Sequence, residues 1–99
     1  MEIPRSFKLF GSTITIEFNN DKCDKEDAYG IAKYKTNKIY LSEKTSGDKM
    51  ESTEIEVTFL HEVLHFVLLK VGYEKLSGDE AFVGIVSRAL HQFLTTQEL

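Results

Sequence analysis

The sequence has almost none of the features that would cross-link a small chain covalently or anchor it in a membrane. Cys23 is the single cysteine among 99 residues, so no disulfide can form within the chain, and a reducing, cytoplasmic setting is expected. The longest apolar run, residues 63–71, is interrupted by His65 and Lys70 and is too short to span a bilayer. Residues 1–5 contain no apolar segment typical of a signal peptide. We therefore expect a soluble chain with no membrane partner.

Positive charge is also scarce. The chain has 12 Lys and Arg residues against 16 Asp and Glu residues, a net charge of −4, and its bases form no cluster. A nucleic-acid partner is not expected, because phosphate binding needs a concentrated positive face. With 41% apolar and 28% charged residues, the composition is that of an ordinary globular protein. The length predicts a single domain over residues 1–99.

The first half of the chain has the alternating pattern of β-strands. Apolar residues recur at every second position in residues 5–18, on both sides of Gly11, which predicts a β-hairpin. Residues 29–42 predict a second hairpin that turns near Thr36 and Asn37. Residues 19–28 and 45–48 are polar and are predicted to be loops, the first with room for one helical turn.

The second half is helical by pattern. A helix is predicted from near Thr53, where Thr53 to Glu56 fit a capping box, to a stop at Gly72. A short connection over 73–78 leads to a second helix from about Asp79 to Thr95. Its predicted core stripe is Phe82, Ile85, Val86, Ala89, Leu90 and Phe93. About four short strands followed by two helices indicate an α+β fold.

The most informative pattern is His-Glu-x-x-His at residues 61–65. On a helix, His61 and His65 lie one above the other, so both imidazoles can reach one tetrahedral zinc ion. Glu62 lies about 100° around the helix from His61, which suits it to hold a zinc-bound water and not to ligate the metal. Burying three ionisable groups on an apolar helix would be costly without a metal, which favours a metal site over coincidence.

A catalytic zinc needs a third protein ligand, and the start of the second helix offers it. Glu80 follows His65 after 14 intervening residues, which is enough to end one helix and begin an antiparallel one. Gly84 and Ser87 would share a helix face with Glu80, and small residues there allow two helices to approach closely.

Asp79 is the alternative third ligand. Residues 77–80 also fit a capping box, in which Glu80 would only bond back to the start of its own helix. His91 would lie about 16 Å further along the helix axis than Glu80. It is therefore expected to be a surface or supporting residue.

If the site is catalytic, Glu62 is expected to act as general base and then as general acid in peptide hydrolysis by a zinc-activated water. The developing oxyanion also needs a hydrogen-bond donor. Tyr73, which closely follows the motif helix, is one candidate, and Tyr34 and Tyr40 on the second hairpin are others. Each of them also fits the role of an ordinary half-buried aromatic residue.

The motif followed by an acidic residue on the next helix resembles the zincin metallopeptidases, in particular their gluzincin branch. Residues 79–82, followed by Ala89, resemble the Glu-Ala-x-x-Phe-Ala stretch of compact bacterial and phage peptidases of the ImmA/IrrE type, with Phe82 one position early. Over residues 29–95 the resemblance implies a minimal zincin-like fold, with Zn²⁺ bound by His61, His65 and Glu80. It also implies an edge strand within 29–42 that binds the substrate backbone. Strands at 5–18 stand where such folds usually have an N-terminal helix.

The sequence therefore predicts a zinc metallopeptidase that acts on a protein or peptide substrate. A chain of this size leaves little material for a second cleft wall, so the expected substrate is extended, or a partner protein or second copy completes the cleft. The alternative is a zinc-stabilised protein-interaction module of phage or mobile-element origin with no turnover. An accessory protein that binds no metal is a third possibility.

Overall fold

The first half of the chain forms a four-stranded sheet in a computed structural model that describes residues 1–99. Its strands, in chain order, are β1 (Ser6–Leu9), β2 (Ser12–Phe18), β3 (Gly30–Lys33) and β4 (Lys38–Leu41). A short helix, α1 (Asn20–Lys25), lies between β2 and β3. The strand order is β1-β2-β4-β3, with β2 and β4 parallel and the two outer pairs antiparallel. Strand β3 is therefore a free edge of the sheet.

Both predicted hairpins are confirmed. The β1–β2 turn consists of Phe10 and Gly11 with φ of 49° and 82°, and two consecutive positive φ angles are typical of a type I′ turn. The β3–β4 connection is a single 3₁₀ turn that ends at Asn37 in the left-handed region. The polar segment 19–28 holds α1, which Asn19 caps by accepting a hydrogen bond from the backbone N–H of Lys22.

The second half is helical, as predicted, with differences in detail. It consists of α2 (Ser52–Lys70), a short α3 (Glu74–Ser77) and α4 (Glu80–Thr95). The predicted capping box is wrong, because α2 starts at Ser52, Thr53 is already helical, and Glu51 precedes the helix without a side-chain cap. The segment 45–48, predicted as a loop, lies within a two-stranded ribbon of β5 (Lys44–Thr45) and β6 (Asp48–Lys49). None of these helices combines the length and apolar character needed to cross a bilayer.

Helix α2 lies between the sheet and α4, which explains why apolar residues surround it. On the sheet side its side chains join the hydrophobic core, which consists of Ile14, Ile39, Leu41, Phe59, Leu60 and Phe66. The rings of Phe7 on β1 and Phe59 meet edge to face at 6.0 Å. Contact with the sheet on one side and with α4 on another makes α2 the central helix, as its largely apolar circumference predicted.

The predicted core stripe of α4 is wrong for four of its six residues, since only Phe82 and Val86 are half-buried. The buried residues of this helix are Val83 and Ser87, whereas Ile85 and Phe93 are 70% and 61% exposed and Leu90 is 41% exposed. Glu80 turns toward α2, and the residues that follow it on the same side of the helix are Gly84, Ser87 and His91. The polar side of α4 is therefore the inner side, and most of the apolar stripe faces solvent.

A second polar contact holds α4 against α2. The ring of His91, 13% exposed, donates from Nε2 to Oε1 of Glu56 over 2.7 Å. Because His91 lies near the end of α4 and Glu56 near the start of α2, the pair fixes the two helices in antiparallel orientation. His91 is thus a supporting residue away from the His-Glu-x-x-His motif, as expected.

We expect the Glu56–His91 bond to make the free energy of unfolding depend on pH in the acidic range. The hydrogen bond from His91 lowers the pKa of the Glu56 carboxyl below its ordinary value of 4.5. Because the folded-state pKa is the lower one, the bond stabilises the fold fully above about pH 4.5, and its contribution is lost as the pH falls through the folded-state pKa. Glu56→Gln should lower the free energy of unfolding by about 1 kcal/mol at neutral pH and by less in acid. Urea unfolding at about pH 7 and about pH 3 measures this.

Glu98→Gln is the control, since Glu98 is exposed and has no ion pair. A stability difference between wild type and Glu56→Gln that stays the same at both pH values would contradict the assignment.

Candidate metal centre

The two histidines of the motif form a cluster with Glu80 on the side of α2 that faces α4. The rings of His61 and His65 lie one helical turn apart and meet edge to face, with centroids 4.8 Å from each other. The carboxylate of Glu80, the first residue of α4, reaches both rings. Its Oε2 lies 3.0 Å from Nε2 of His61, and its Oε1 lies 3.3 Å from Nε2 of His65. Glu80 therefore meets two residues that precede it by 15 and 19 positions in the sequence.

The structure separates the two acidic candidates at the start of α4. Asp79 is the N-cap, and its Oδ1 accepts a hydrogen bond from the backbone N–H of Phe82 over 3.1 Å. Glu80 comes directly after the cap, so its side chain is free to turn toward α2, and it is 68% exposed. The acid that lies against the imidazoles is Glu80, and Asp79 has a different partner.

These three residues can hold a metal ion. One ligand atom from each of His61, His65 and Glu80 lies within 4.8 Å of the other two. Around a tetrahedral zinc with bonds of about 2.0–2.1 Å, ligand atoms stand roughly 3.3 Å apart. The two carboxylate oxygens of Glu80 lie near that distance, one from each ring, while the three-residue group spans up to 4.8 Å, so its ligand atoms would draw closer together around an ion. Two imidazoles and a carboxylate also form a donor set that zinc favours, with the three protein ligands typical of a catalytic site.

Ser77 supports His65 from behind. Its Oγ lies 3.0 Å from Nδ1 of His65, and the residue is only 5% exposed. When Nδ1–H donates to this oxygen, the lone pair of the ring is on Nε2, the atom that faces Glu80. Burial lowers the pKa of His65, against the opposing effect of Glu80, which favours the neutral ring that a metal requires. This role of Ser77 was not predicted from the sequence, because a single serine in the connection between two long helices has no distinctive spacing.

Glu62 is the buried acid of the cluster. It is 7% exposed, although its neighbour His61 stays partly open to solvent. Burial, together with the nearby charge of Glu80, raises the pKa of Glu62 to about 7. A carboxyl group in these surroundings can exchange a proton near neutral pH, as a general base must. The Glu62 carboxylate lies against Gly30 of β3 and lines the same cleft as the two histidines without joining the ligand group, as its 100° offset predicted.

Gly30, the first residue of β3, allows this placement of Glu62. A Cβ atom at Gly30 would lie 2.6 Å from Cγ2 of Thr58 and 3.1 Å from Cγ of Glu62. Any larger residue would therefore push against both α2 side chains. This role of Gly30 could not be predicted from the sequence, because close contact between a strand and a helix is visible only in three dimensions.

An open cleft of about 700 Å³ runs between β3, α2 and α4. His61, Glu62, His65 and Glu80 all line it, and further walls come from residues 28–32 of the edge strand. None of the three candidate oxyanion donors, Tyr73, Tyr34 and Tyr40, lines the cleft. The tyrosine that does so is Tyr29, at the start of the edge strand.

The three tyrosines proposed from the sequence have other surroundings. Tyr73 is 60% exposed beyond the end of α2, and Tyr34 packs against Phe66 at 6.1 Å. Tyr40 lies beneath the amino groups of Lys22 and Lys38. As expected for ordinary aromatic residues, each of the latter two is packed against neighbouring side chains.

We expect Gly30→Ala to destabilise the protein by about 1–3 kcal/mol, the usual cost of inserting a methyl group where there is no room. Thr58→Ser removes the Cγ2 atom that the new methyl would meet. It keeps the hydroxyl that donates to the backbone oxygen of Glu54 over 2.7 Å. The double variant should therefore be destabilised by less than the sum of the two single changes. Chemical unfolding of wild type, both single variants and the double variant gives this coupling. If the two destabilisations simply add in the double variant, the contact with Cγ2 of Thr58 is not the cause of the destabilisation by Gly30→Ala.

Comparisons with known proteins add no evidence on function beyond the geometry of this cleft. No protein-family model, no curated protein and no solved structure matches the chain.

Proposed function

We propose that this protein is a zinc-dependent metallopeptidase of the zincin type. The observation that carries the proposal is the meeting of His61, His65 and Glu80 at one point, with the buried carboxyl of Glu62 beside them in the same cleft. His61, His65 and Glu80 would hold the ion. When bound, zinc supplies Lewis acidity toward a scissile carbonyl and lowers the pKa of water.

Glu62 is the proposed general base. Its carboxyl takes a proton from the attacking water and returns it to the amine that leaves when the peptide bond breaks. It suits this role because Gly30 on one side and α2 on the other hold it within the cleft, with little freedom to move. A zinc site that served only to stabilise the fold would not need a buried carboxyl next to its ligands.

Strand β3 is the proposed binding edge for the substrate. The backbone N–H of Ser42 donates to the carbonyl of Tyr29 over 2.9 Å, so Tyr29 directs its carbonyl toward the sheet. Because these directions alternate along an antiparallel strand, the N–H and C=O groups of Gly30 and Ala32 point out of the sheet, toward the cleft. An extended peptide that pairs with Gly30 and Ala32 would add a strand to the sheet.

This arrangement also supports the zincin-like fold proposed from the sequence. The motif helix packs across the sheet beside its edge strand, and the next long helix brings an acidic residue back to the histidines. The cleft is open along its length, which suits an extended peptide or an unfolded segment of a protein. The cytoplasmic setting proposed from the sequence is compatible with a single cysteine that is fully buried and unpaired.

A zinc-stabilised interaction module remains the second candidate. Its support is that Glu80, at the start of α4, meets two histidines of α2, so that a metal there would link the helices. Stability gained from the bound ion alone would then be the reason for the site.

Glu62→Gln separates the two functions. We expect the zinc-loaded wild type to cleave members of a mixed peptide library, detected by mass spectrometry. The variant should keep its zinc and lose cleavage by a hundredfold or more, on the order expected for loss of a general base. Zinc content is measured by elemental analysis of the same samples.

Glu43→Gln is the matched control, because Glu43 is exposed and lies outside the cleft. Wild type that binds zinc but cleaves no peptide would favour the interaction module. Wild type that binds no zinc would rule out both candidates.

Zinc affinity should also depend on Ser77. Ser77→Ala removes the oxygen that accepts the Nδ1–H of His65, so zinc affinity should fall about tenfold or more. Ser87→Ala is the matched control, since Ser87 is equally buried but bonds only to the backbone oxygen of Val83. Titration against a chromophoric chelator measures both affinities. An equal loss in the two variants would mean that the effect is structural and does not act through His65.

A further inference from the structure

The outer side of α4 carries a continuous apolar surface. Its side chains form two rows in which each residue is four positions from the next. We call them the outer ridges of α4: Ala81, Ile85, Ala89 and Phe93 in one, and Phe82, Val86, Leu90 and Leu94 in the other. Six of these residues are exposed, and Phe82 and Val86 are half-buried. The most exposed members are Ile85 at 70% and Phe93 at 61%, followed by Leu94 at 46% and Leu90 at 41%.

This surface is large for so small a protein. The ridges extend along a helix about 24 Å long. They expose on the order of 500 Å² of apolar area, given that a large apolar side chain has roughly 150–250 Å² to bury. That area is in the upper part of the range for the largest apolar patch on a monomer, about 300–600 Å². With a polar rim, it reaches the roughly 600 Å² per partner at the low end of specific interfaces.

No charge interrupts the outer ridges. Arg88 is the only Lys, Arg, Asp or Glu between residues 81 and 95, and its guanidinium is turned to the carboxylate of Glu54 on α2, 3.6 Å away. His91 is likewise turned inward to Glu56. A copy of the same surface would therefore meet no like charge, although a dimer brings identical residues close together.

The ridges are also complementary to themselves. About the midpoint between Ser87 and Arg88, their positions are the same when read from either end of the helix. An antiparallel copy would place Ile85 opposite Leu90 and small Ala89 opposite Val86, while Phe82 lies opposite Phe93. A two-fold interface requires such reciprocity, because each residue that contacts a second position in the partner must be contacted by that same position in return. Rows spaced four residues apart pack into the grooves of an identical helix at a crossing angle of about −50°, the commonest helix-packing class.

We propose that two copies of this chain associate through the outer ridges of α4, antiparallel and related by a two-fold axis that crosses the ridges at the level midway between residues 87 and 88. The proposal goes beyond the peptidase function and does not depend on it. The contact lies on the side of α4 opposite Glu80, so each cleft stays open, and the second copy supports the helix that carries Glu80 from behind. It covers the apolar residues that α2 leaves exposed.

Analytical ultracentrifugation across micromolar to submillimolar concentrations tests the proposal. We expect the wild type to change from monomer to dimer with concentration. Ile85→Glu should raise the dimer dissociation constant about thirtyfold or more, the size typical of an interface hot spot. Phe10→Glu is the matched control, because Phe10 is 64% exposed on the β1–β2 turn, far along the chain from α4. It should leave the dissociation constant unchanged, and circular dichroism establishes that both variants are folded.

A mixing experiment tests the register. Leu90→Lys alone should also prevent dimerisation, but mixing it with Ile85→Glu should restore a heterodimer, since one interface pair becomes Glu opposite Lys and the other stays Ile opposite Leu. Mixing Ile85→Glu with Ile85→Lys should give less heterodimer, because residue 85 of one copy does not face residue 85 of the other. Wild type that is monomeric throughout, or Phe10→Glu that dissociates the dimer as Ile85→Glu does, would overturn the proposal. Recovery only in the Ile85→Glu and Ile85→Lys mixture would overturn the antiparallel arrangement.

Discussion

Glu80 reaches both histidines because α4 runs antiparallel to α2 and presents its polar side to it. The start of α4 then lies beside the middle of α2, where His61 and His65 are, and its end lies beside the start of α2, where His91 meets Glu56. The two polar contacts are about three helical turns apart along α4. Together they limit both sliding and rotation of α4, and the position of the carboxylate depends on that restraint.

The other wall of the cleft depends on a close contact between a strand and a helix. Strand β3 can pack directly against α2 because Gly30 has no side chain, and Thr58 and Glu62 fill the space that a Cβ would take. The same residue has its backbone groups directed out of the sheet, toward the cleft. A substrate strand paired there would lie next to the carboxyl of Glu62. Gly30 thus helps to position both the proposed binding edge, β3, and the proposed general base, Glu62.

The polar inner side of α4 reduces the apolar area that this helix buries against α2. A helix that directs Glu80, Gly84, Ser87 and His91 inward has few inward positions left for apolar residues, and Val83 is its only fully buried one. The helix therefore combines one fully buried apolar residue with several polar contacts to α2, while most of its apolar ridges face solvent. Burial of these ridges against a second copy would supply hydrophobic stabilisation that the inner side lacks. The proposed metal centre and the proposed dimer contact are in this sense two consequences of one orientation.

The local sequence pattern was sufficient to predict much of the structure of this protein. The two hairpins, the two long helices, the α+β class and the one-turn spacing of His61 and His65 depend on interactions between residues close in sequence, so the sequence alone determined them. It also limited the acidic partner to Asp79 or Glu80. Tertiary structure decided the rest, because each remaining feature joins residues far apart in the chain. Asp79 caps its helix while Glu80 turns to α2, Ser77 meets His65, and Gly30 makes room for Glu62. Above all, the amphipathic pattern of α4 identified an apolar side but not its direction. The need to bring polar groups to α2 placed that side outward, since a helix has only one face to offer each neighbour.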